Sequence, residues 1–311
     1  MIKTPICDLT GIEYPIFQGG MAWISEANLA AAVSNGGGLG IISAMNADAD
    51  YLRTQIHKVR EMTDKPFGVN IMLMSPFAKE VAEVVAQENV PVVTTGAGNP
   101  AKYMDAWQAK GIKVIPLVAS VAMAKLMTRA GASAVIAEGS EAGGHVGDTT
   151  TMVLVPQVCD ATDLPVIAAG GIADGRGVAA AFMLGAQGVQ LGTRFLVASE
   201  CVVHPNYKAK VIKATDISTI ATGKRLGHPV RSLKTAFSRE YMKAEYDNSI
   251  SNSDLEEFAV GALRLAAVEG DNEKGCFPAG QIAGMVKKEQ PAAEIIAEIF
   301  SETENILRSV V

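Results

Sequence analysis

The chain has 311 residues, of which 49% are hydrophobic and 19% charged, with 30 glycines and a formal net charge of −6. That apolar content excludes a disordered chain, because burial can offset the loss of chain entropy, and the acidic balance argues against nucleic acid as the main partner. Cys7, Cys159, Cys201 and Cys276 are scattered, with no C-x-x-C pair and no histidine at ligand spacing, which excludes a disulfide framework and a structural zinc site.

From Pro15 to about Val197 one rhythm repeats: a short apolar run, a glycine or small-residue turn, then an amphipathic stretch of helical length. The runs are Pro15–Gln18, Leu39–Ser43, Phe67–Leu73, Val92–Thr95, Lys113–Val118, Ala134–Glu138, Pro165–Ala169 and Gly188–Gly192. Short, often β-branched and bounded by Gly or Pro, they read as parallel strands buried on both faces. Ser25 and Asp48 stand where N-caps are expected, and Asn35-Gly36 and Ala130-Gly131 read as helix stops. Eight strand-helix units predict an α/β fold of the (β/α)8 TIM-barrel type. A doubly wound dinucleotide fold has one foothold, the G-x-G-x-x-A match Gly96–Ala101, but no acidic residue follows about 20 positions later and Pro100 sits where the helix should open.

After residue 200 the rhythm changes. His204–Ala214 reads as a basic helix, polar turns follow, Ser253–Glu269 carries a long helical pattern, and the final helices are expected over Ile282–Lys288 and Ala292–Ser309. The expected division is a barrel over 1–200 completed by 281–311, with a smaller inserted domain over 201–280 covering its mouth. Residues 207–243 hold nine Lys or Arg against Asp216 and Glu240, whereas 244–311 are strongly acidic. One basic segment in an acidic chain reads either as a solvated helix surface or as a docking face for an acidic or phosphorylated partner. The longest uncharged stretches, 27–47 and 177–193, are interrupted by Gly, Asn, Ser or Gln, so no membrane insertion is expected. The N-terminal residues lack the apolar core of a signal peptide, which predicts a cytoplasmic protein.

A barrel of this type works at the C-terminal ends of its strands. The seventh run ends in Gly170-Gly171 and the eighth in Gly192-Thr193, where bare backbone N–H groups, the Thr193 hydroxyl and a following helix start would hold a phosphate. The first run ends in Gly19-Gly20-Met21, and Asn70 and Thr94-Thr95 add polar groups that a flat ring lying across the mouth would use. After the sixth run, Glu138-Gly-Ser-Glu141-Ala-Gly-Gly144-His145 places His145 on a glycine-flanked loop, where an imidazole exchanges protons near neutral pH. His57 and His204 read as surface or helix-start residues, and His228 stands in a Gly-His-Pro turn from which it could line the pocket. No G-x-S-x-G, H-E-x-x-H or Walker pattern is present, so the chemistry is more plausibly run by a bound cofactor.

The stretches Tyr14–Trp23 (YPIFQGGMAW), Lys65–Phe77 (KPFGVNIMLMSPF), Val93–Tyr103 (VTTGAGNPAKY), Val135–Gly147 (VIAEGSEAGGHVG), Ala168–Gly175 (AAGGIADG) and Gln190–Phe195 (QLGTRF) resemble the flavin mononucleotide (FMN) dependent enoyl-[acyl-carrier-protein] reductase II family, within the nitronate monooxygenase-like flavoproteins. The resemblance spans essentially the whole chain. It implies that Gly170, Gly171, Gly192 and Thr193 hold the FMN phosphate, that Gly20, Met21, Asn70 and Gln190 border the ribityl chain or ring, and that His145 is catalytic. Gly19, Glu138 and Gly144, on the same strand-end loops, complete the set expected to line the cofactor. The implied reaction is reduction of a trans-2-enoyl thioester on acyl carrier protein by NADH or NADPH through FMN, in fatty-acid biosynthesis, and a homodimer is conceivable. The implied partner is acidic, which gives segment 207–243 a docking role. Two alternatives remain open at this point: an oxygen-consuming nitronate monooxygenase, and a flavin-binding regulatory barrel without turnover.

Overall fold

The computed structural model describes residues 2–45 and 47–309. All eight apolar runs are strands: β1 (Ile16–Gln18), β2 (Gly40–Ser43), β3 (Phe67–Met72), β4 (Val92–Gly96), β5 (Lys113–Val118), β6 (Val135–Glu138) and, after a two-residue strand β7 (Gly144–His145), β8 (Val166–Ala169) and β9 (Gly188–Leu191). The parallel order is β1-β9-β8-β6-β5-β4-β3-β2, and a bridge between Phe17 and Leu39 returns β2 to β1. The sheet is thus closed as a (β/α)8 barrel.

The closing seam is thin. Beyond the Phe17–Leu39 bridge, the ladder is continued by a side chain: Gln18 Oε1 accepts the Ile41 N–H at 3.1 Å. Gln18 Nε2 in turn donates to Ser25 Oγ at 2.8 Å and to the Gly19 carbonyl.

Side-chain alternation along the strands divides the core. Phe17, Leu39, Ile41, Val92, Ile115, Ala134, Ile136, Ile167 and Ala169 fill the barrel, joined by Ile6 and Ile12. Ile6 lies against the start of β9 at Gly188, so the first helix, Pro5–Thr10, plugs the N-terminal end and leaves the opposite end for a site. Outward residues such as Ile42, Val69, Ile71 and Val93 pack under the helices. Each such side chain, fully removed from water, contributes about 1.5–3 kcal/mol.

Between β9 and the last helix the chain makes a long excursion. It contains a helix Pro205–Ile212, an antiparallel hairpin of β10 (Thr219–Thr222) and β11 (Val230–Leu233), and helices Ala236–Tyr246 and Asn252–Ala259. Phe237, Tyr241, Ala244, Leu255 and Ala262 form a small core there, while Tyr207, Val211, Ala266 and Phe277 belong to the barrel's own outer cluster. The hairpin was legible only as polar turns. The helical pattern expected over Ser253–Glu269 is broken at Gly261 (φ +75°), after which the chain forms a π-helical turn over Leu265–Glu269. The helix expected over Ile282–Lys288 is a 3-10 turn, Gln281–Met285, in which Gly284 lies against the Thr215 carbonyl group where any side chain would collide. The C-terminal helix Ala292–Ser309 then packs between helices Gly175–Met183 and Ala27–Asn35, with the Phe300 ring 5.0 Å from Tyr14. It occupies the place of the eighth barrel helix. Among the described residues no helix is long and apolar enough to cross a membrane.

Candidate active site

The loop after β1 is built on Ser25, which is not the helix cap its position predicted. Its hydroxyl accepts the Met21 N–H at 2.9 Å and the Gln18 amide, and helix Ala27–Asn35 starts from Glu26 without a side-chain cap. Tied this way, the loop presses Gly20 against Asn70, where a Cβ would come within 2.3 Å of the Asn70 Cβ, and Gly19 against the Gln190 side chain. Met21 approaches Gly192. Gly19, Gly20, Met21, Asn70, Gln190 and Gly192, drawn from three separate stretches of sequence, therefore meet at one end of the barrel.

Strand register explains the floor of this region. Ser43, Asn70 and Thr94 are paired in sequence across β2, β3 and β4, and Glu138, Ala169 and Gln190 across β6, β8 and β9. All six alternate with outward-facing neighbours, so their side chains form a mostly polar layer on top of the apolar barrel interior. Thr94 Oγ1 donates to Asn70 Oδ1 at 2.9 Å, which leaves the Asn70 NH2 for a ligand. Ser43 Oγ and Gln190 Oε1 are buried with no hydrogen-bond partner among the described residues. Ser43 escaped the sequence reading, although it ends its strand run as a polar residue just as Gln18 does. Glu138 has no side-chain hydrogen bond among the described residues, and burial raises its carboxyl from the ordinary 4.5 to about 7. Unmet polar groups converging on one layer are what a bound polar ring would satisfy.

Two glycine loops flank that layer. Gly170 and Gly171 both take left-handed backbone (φ +87° and +73°), and a Cβ on Gly170 would meet the Gly139 carbonyl at 2.9 Å. The N–H groups of Gly170, Gly171, Gly192 and Thr193 donate to no acceptor among the described residues. Thr193 Oγ1 accepts the Gly280 N–H at 2.9 Å, so its own proton is free to donate. These are donors an anion needs. The helix start that follows, however, is already taken: Asp174 accepts from Arg176 and Gly177 N–H, and Glu302 from Gly175 N–H at 2.8 Å. A phosphate would be held by the loops rather than by that helix.

His145 lies in β7, where Val230 pairs with it and Arg231 with Gly144. It is solvent-accessible, and no group among the described residues hydrogen-bonds either ring nitrogen. The surrounding protein still desolvates it, and this, followed by the His228 ring 6.3 Å away, lowers its pKa below the usual imidazole value. Glu141 is not available as a base: its carboxylate accepts from the Thr151 N–H at 2.9 Å and the Thr151 hydroxyl at 3.0 Å, capping helix Thr151–Cys159. Arg231 donates to the Ser140 carbonyl at 3.1 Å, fastening the hairpin to the same loop.

The basic segment is less free than its count implies. Lys208 is 9% exposed and donates to Glu289 Oε1 at 2.7 Å and the Ala198 carbonyl at 2.8 Å. Arg225 is spent on the carbonyls of Glu245, Asp247 and Ile250 and on Asn252, and Lys243 pairs with Glu240. Lys213, Lys224, Lys234 and Arg239 remain exposed. Lys213 and Lys234 flank one turn, since the Lys234 N–H donates to the Ser218 carbonyl and Ser218 Oγ accepts the Thr215 N–H.

Comparison with known proteins places these features in a lineage. The family model described as nitronate monooxygenase matches residues 3–302. A Mycobacterium tuberculosis protein named (3aS,4S,5R,7aS)-5-hydroxy-7a-methyl-1-oxo-octahydro-1H-indene-4-carboxyl-CoA dehydrogenase is 33% identical, over 96% of this chain and 95% of its own. A probable nitronate monooxygenase of Staphylococcus saprophyticus is also 33% identical, over 87% and 89%. Among solved structures, FabK from Thermotoga maritima superposes with a TM-score of 0.97 at 51% identity, covering 100% of this chain and 99% of that one. Nitroalkane oxidase from Streptomyces ansochromogenes superposes with a TM-score of 0.88 at 28% identity, covering 98% and 99%.

Proposed function

The chain belongs to the nitronate monooxygenase family, whose relatives above bear oxidoreductase names, and from that premise we propose that it is an FMN-dependent enoyl-[acyl-carrier-protein] reductase. The observation that carries this reading is the whole-chain likeness to FabK at 51% identity, against 28–38% for the relatives named nitroalkane oxidase, probable nitronate monooxygenase and carboxyl-CoA dehydrogenase. The reductase-type motifs of the sequence point the same way.

When bound, FMN supplies an acceptor and donor of hydride between NADH or NADPH and the enoyl thioester. Gly170, Gly171, Gly192 and Thr193 would hold its phosphate through unpaired N–H groups and the Thr193 hydroxyl. Gly19, Gly20 and Met21 bring bare backbone to the mouth, and Asn70, Glu138 and Gln190 present the polar edges of the ring layer. Gly144 takes left-handed backbone (φ +81°), and a Cβ there would meet nothing within 4 Å among the described residues. His145, solvent-accessible and with both nitrogens unengaged, would hydrogen-bond the thioester carbonyl or supply the α-carbon proton. Residues 201–280 act in this reading as the covering unit, and Lys213 and Lys234 as part of the face that meets acidic acyl carrier protein.

The test is spectroscopic. Purified protein should be yellow, lose its flavin absorbance with NADH or NADPH without oxygen, and regain it on addition of a crotonyl thioester. The family name and the staphylococcal relative favour one second reading, a nitronate monooxygenase, in which His145 would take a proton from an acidic C–H. Oxygen uptake with an alkyl nitronate and no re-oxidation by the thioester would select it. Absence of any spectral change with either nucleotide would leave a binding protein without turnover.

A further inference from the structure

We propose that His228 is a positioning residue for His145: with the two rings side by side, a positive charge on one disfavours a positive charge on the other, and this keeps His145 as a neutral N–H donor. The inference rests on the reading of His145 as catalytic and goes on to choose between its two candidate roles. A neutral imidazole can polarise a carbonyl through its N–H, whereas an imidazolium would deliver a proton outright.

The argument begins with backbone. β7 is two residues long and has β11 as its partner, through Val230 opposite His145 and Arg231 opposite Gly144. The Val146 N–H donates to the Pro229 carbonyl at 3.0 Å, extending the contact to the residue next to His228. The hairpin turn is thereby clamped to the strand that bears His145, and the two rings stand 6.3 Å apart at 58°. Both residues are exposed, so neither ring is placed there by core packing.

The charged groups on the elements around His145 leave His228 as its electrostatic neighbour. Arg231, on β11, is turned to the Ser140 carbonyl and the Thr219 hydroxyl and is attracted by Glu141. On His145's own loop, Glu141 is held by Thr151. On the hairpin turn, Arg225 is occupied by carbonyls of the next helix and Lys224 is exposed. No carboxylate among the described residues pairs with His145, so none there stabilises an imidazolium, while a charge on the His228 ring would oppose one. The downward direction of the His145 pKa agrees with this arrangement.

The experiment is a titration of the whole protein selectively labelled at histidine, followed by NMR, with the His145 signal identified by its loss in His145→Gln. The chain has four histidines, so the spectrum is simple. His228→Gln removes the neighbouring imidazole and His228→Lys puts a permanent positive charge in its place; both sit in an exposed turn and should leave the thermal transition in place. The His145 midpoint should rise in His228→Gln and fall in His228→Lys, and the acidic limb of kcat/KM should follow it. An unchanged midpoint in both variants, or a shift in the same direction in both, overturns the proposal. Because the titration needs no substrate, it stands or falls separately from the reductase reading.

Discussion

The hydroxyl oxygen of Thr193, at the end of the last barrel strand, accepts the N–H of Gly280 at 2.9 Å, 87 residues further along the chain. Gly280 is itself packed against the Glu141 carbonyl, where a Cβ would come within 2.8 Å, and the next N–H, from Gln281, donates to that same carbonyl at 2.9 Å. One threonine thus ties the proposed phosphate loop, the returning segment and the loop that carries His145. Thr193→Val keeps the shape but strands a buried N–H, which costs about 1–3 kcal/mol. We expect a lower melting temperature and loss of FMN on gel filtration for the valine variant, with both restored in Thr193→Ser.

Gly171 needs left-handed backbone rather than space, since its nearest neighbour, Glu141, leaves 3.4 Å for a Cβ. A side chain there carries roughly 1–2 kcal/mol of backbone strain. Gly171→Val should fold yet purify with much less FMN than wild type, measured by absorbance against protein concentration. Equal flavin content in the two proteins would remove Gly171 from the phosphate site.

Replacing His145 by Ala removes a carbonyl partner or proton source without touching the glycine loops. Enoyl reduction should slow by roughly 10²- to 10⁴-fold, while flavin content stays the same and anaerobic reduction by NAD(P)H suffers less. Stopped-flow measurement of the two half-reactions separates these effects, and unchanged enoyl turnover would return His145 to a structural role.

Glu138 gives a pH prediction. Its folded pKa of about 7 lies above the ordinary 4.5, so the folded state holds its proton more tightly than the unfolded chain does. The stability this provides is complete below about pH 4.5 and is lost as pH rises through 7. Relative to Glu138→Gln, wild type should therefore lose stability across that window, by at most about 3 kcal/mol and by less where water reaches the mouth. Parallel stability curves for the two proteins would place the carboxyl's titration elsewhere.

For the proposed docking face, Lys208 is the wrong residue to change. Its ammonium is buried against Glu289 and the Ala198 carbonyl, and Lys208→Ala should cost about 1–3 kcal/mol with no selective effect on carrier-bound substrate. Lys213→Glu with Lys234→Glu should instead raise KM for the acyl-carrier-protein substrate while sparing a small uncharged thioester. The difference should fade as salt shortens the screening length to about 8 Å and below. Equal losses on both substrates would assign these lysines to the pocket or the fold.

The barrel was legible because its strands are short apolar runs buried on both faces, and burial on both faces leaves no other reading of Phe67–Met72 or Val166–Ala169. The glycine loops after β8 and β9 could be placed at one end of the barrel because strand ends in this fold point to one place. What sequence could not show was partnership across long separations. Ser25 has a cap's position, yet its hydroxyl serves the Gly-rich loop; Lys208 has a docking residue's charge, yet Glu289 claims it. β7 is two residues long, and no local pattern reveals that β11, more than 80 residues away, makes it a strand. Gly261 was a visible warning inside the pattern Ser253–Glu269, since a left-handed glycine ends a helix.

The seam between β1 and β2 also sets the order in which the ring comes apart. The Ile41 amide is protected by a rotamer rather than by a strand, so a turn of the Gln18 side chain exposes it to exchange with solvent deuterium well before the rest of β2. The same amide group binds Ser25 and the Gly19 carbonyl, so release of this latch and loosening of the Gly19–Gly20 loop are one event. A ligand resting on that loop should therefore slow deuterium uptake at Ile41 without touching it, and the exchange rate of one backbone amide becomes a gauge of how firmly the mouth is held.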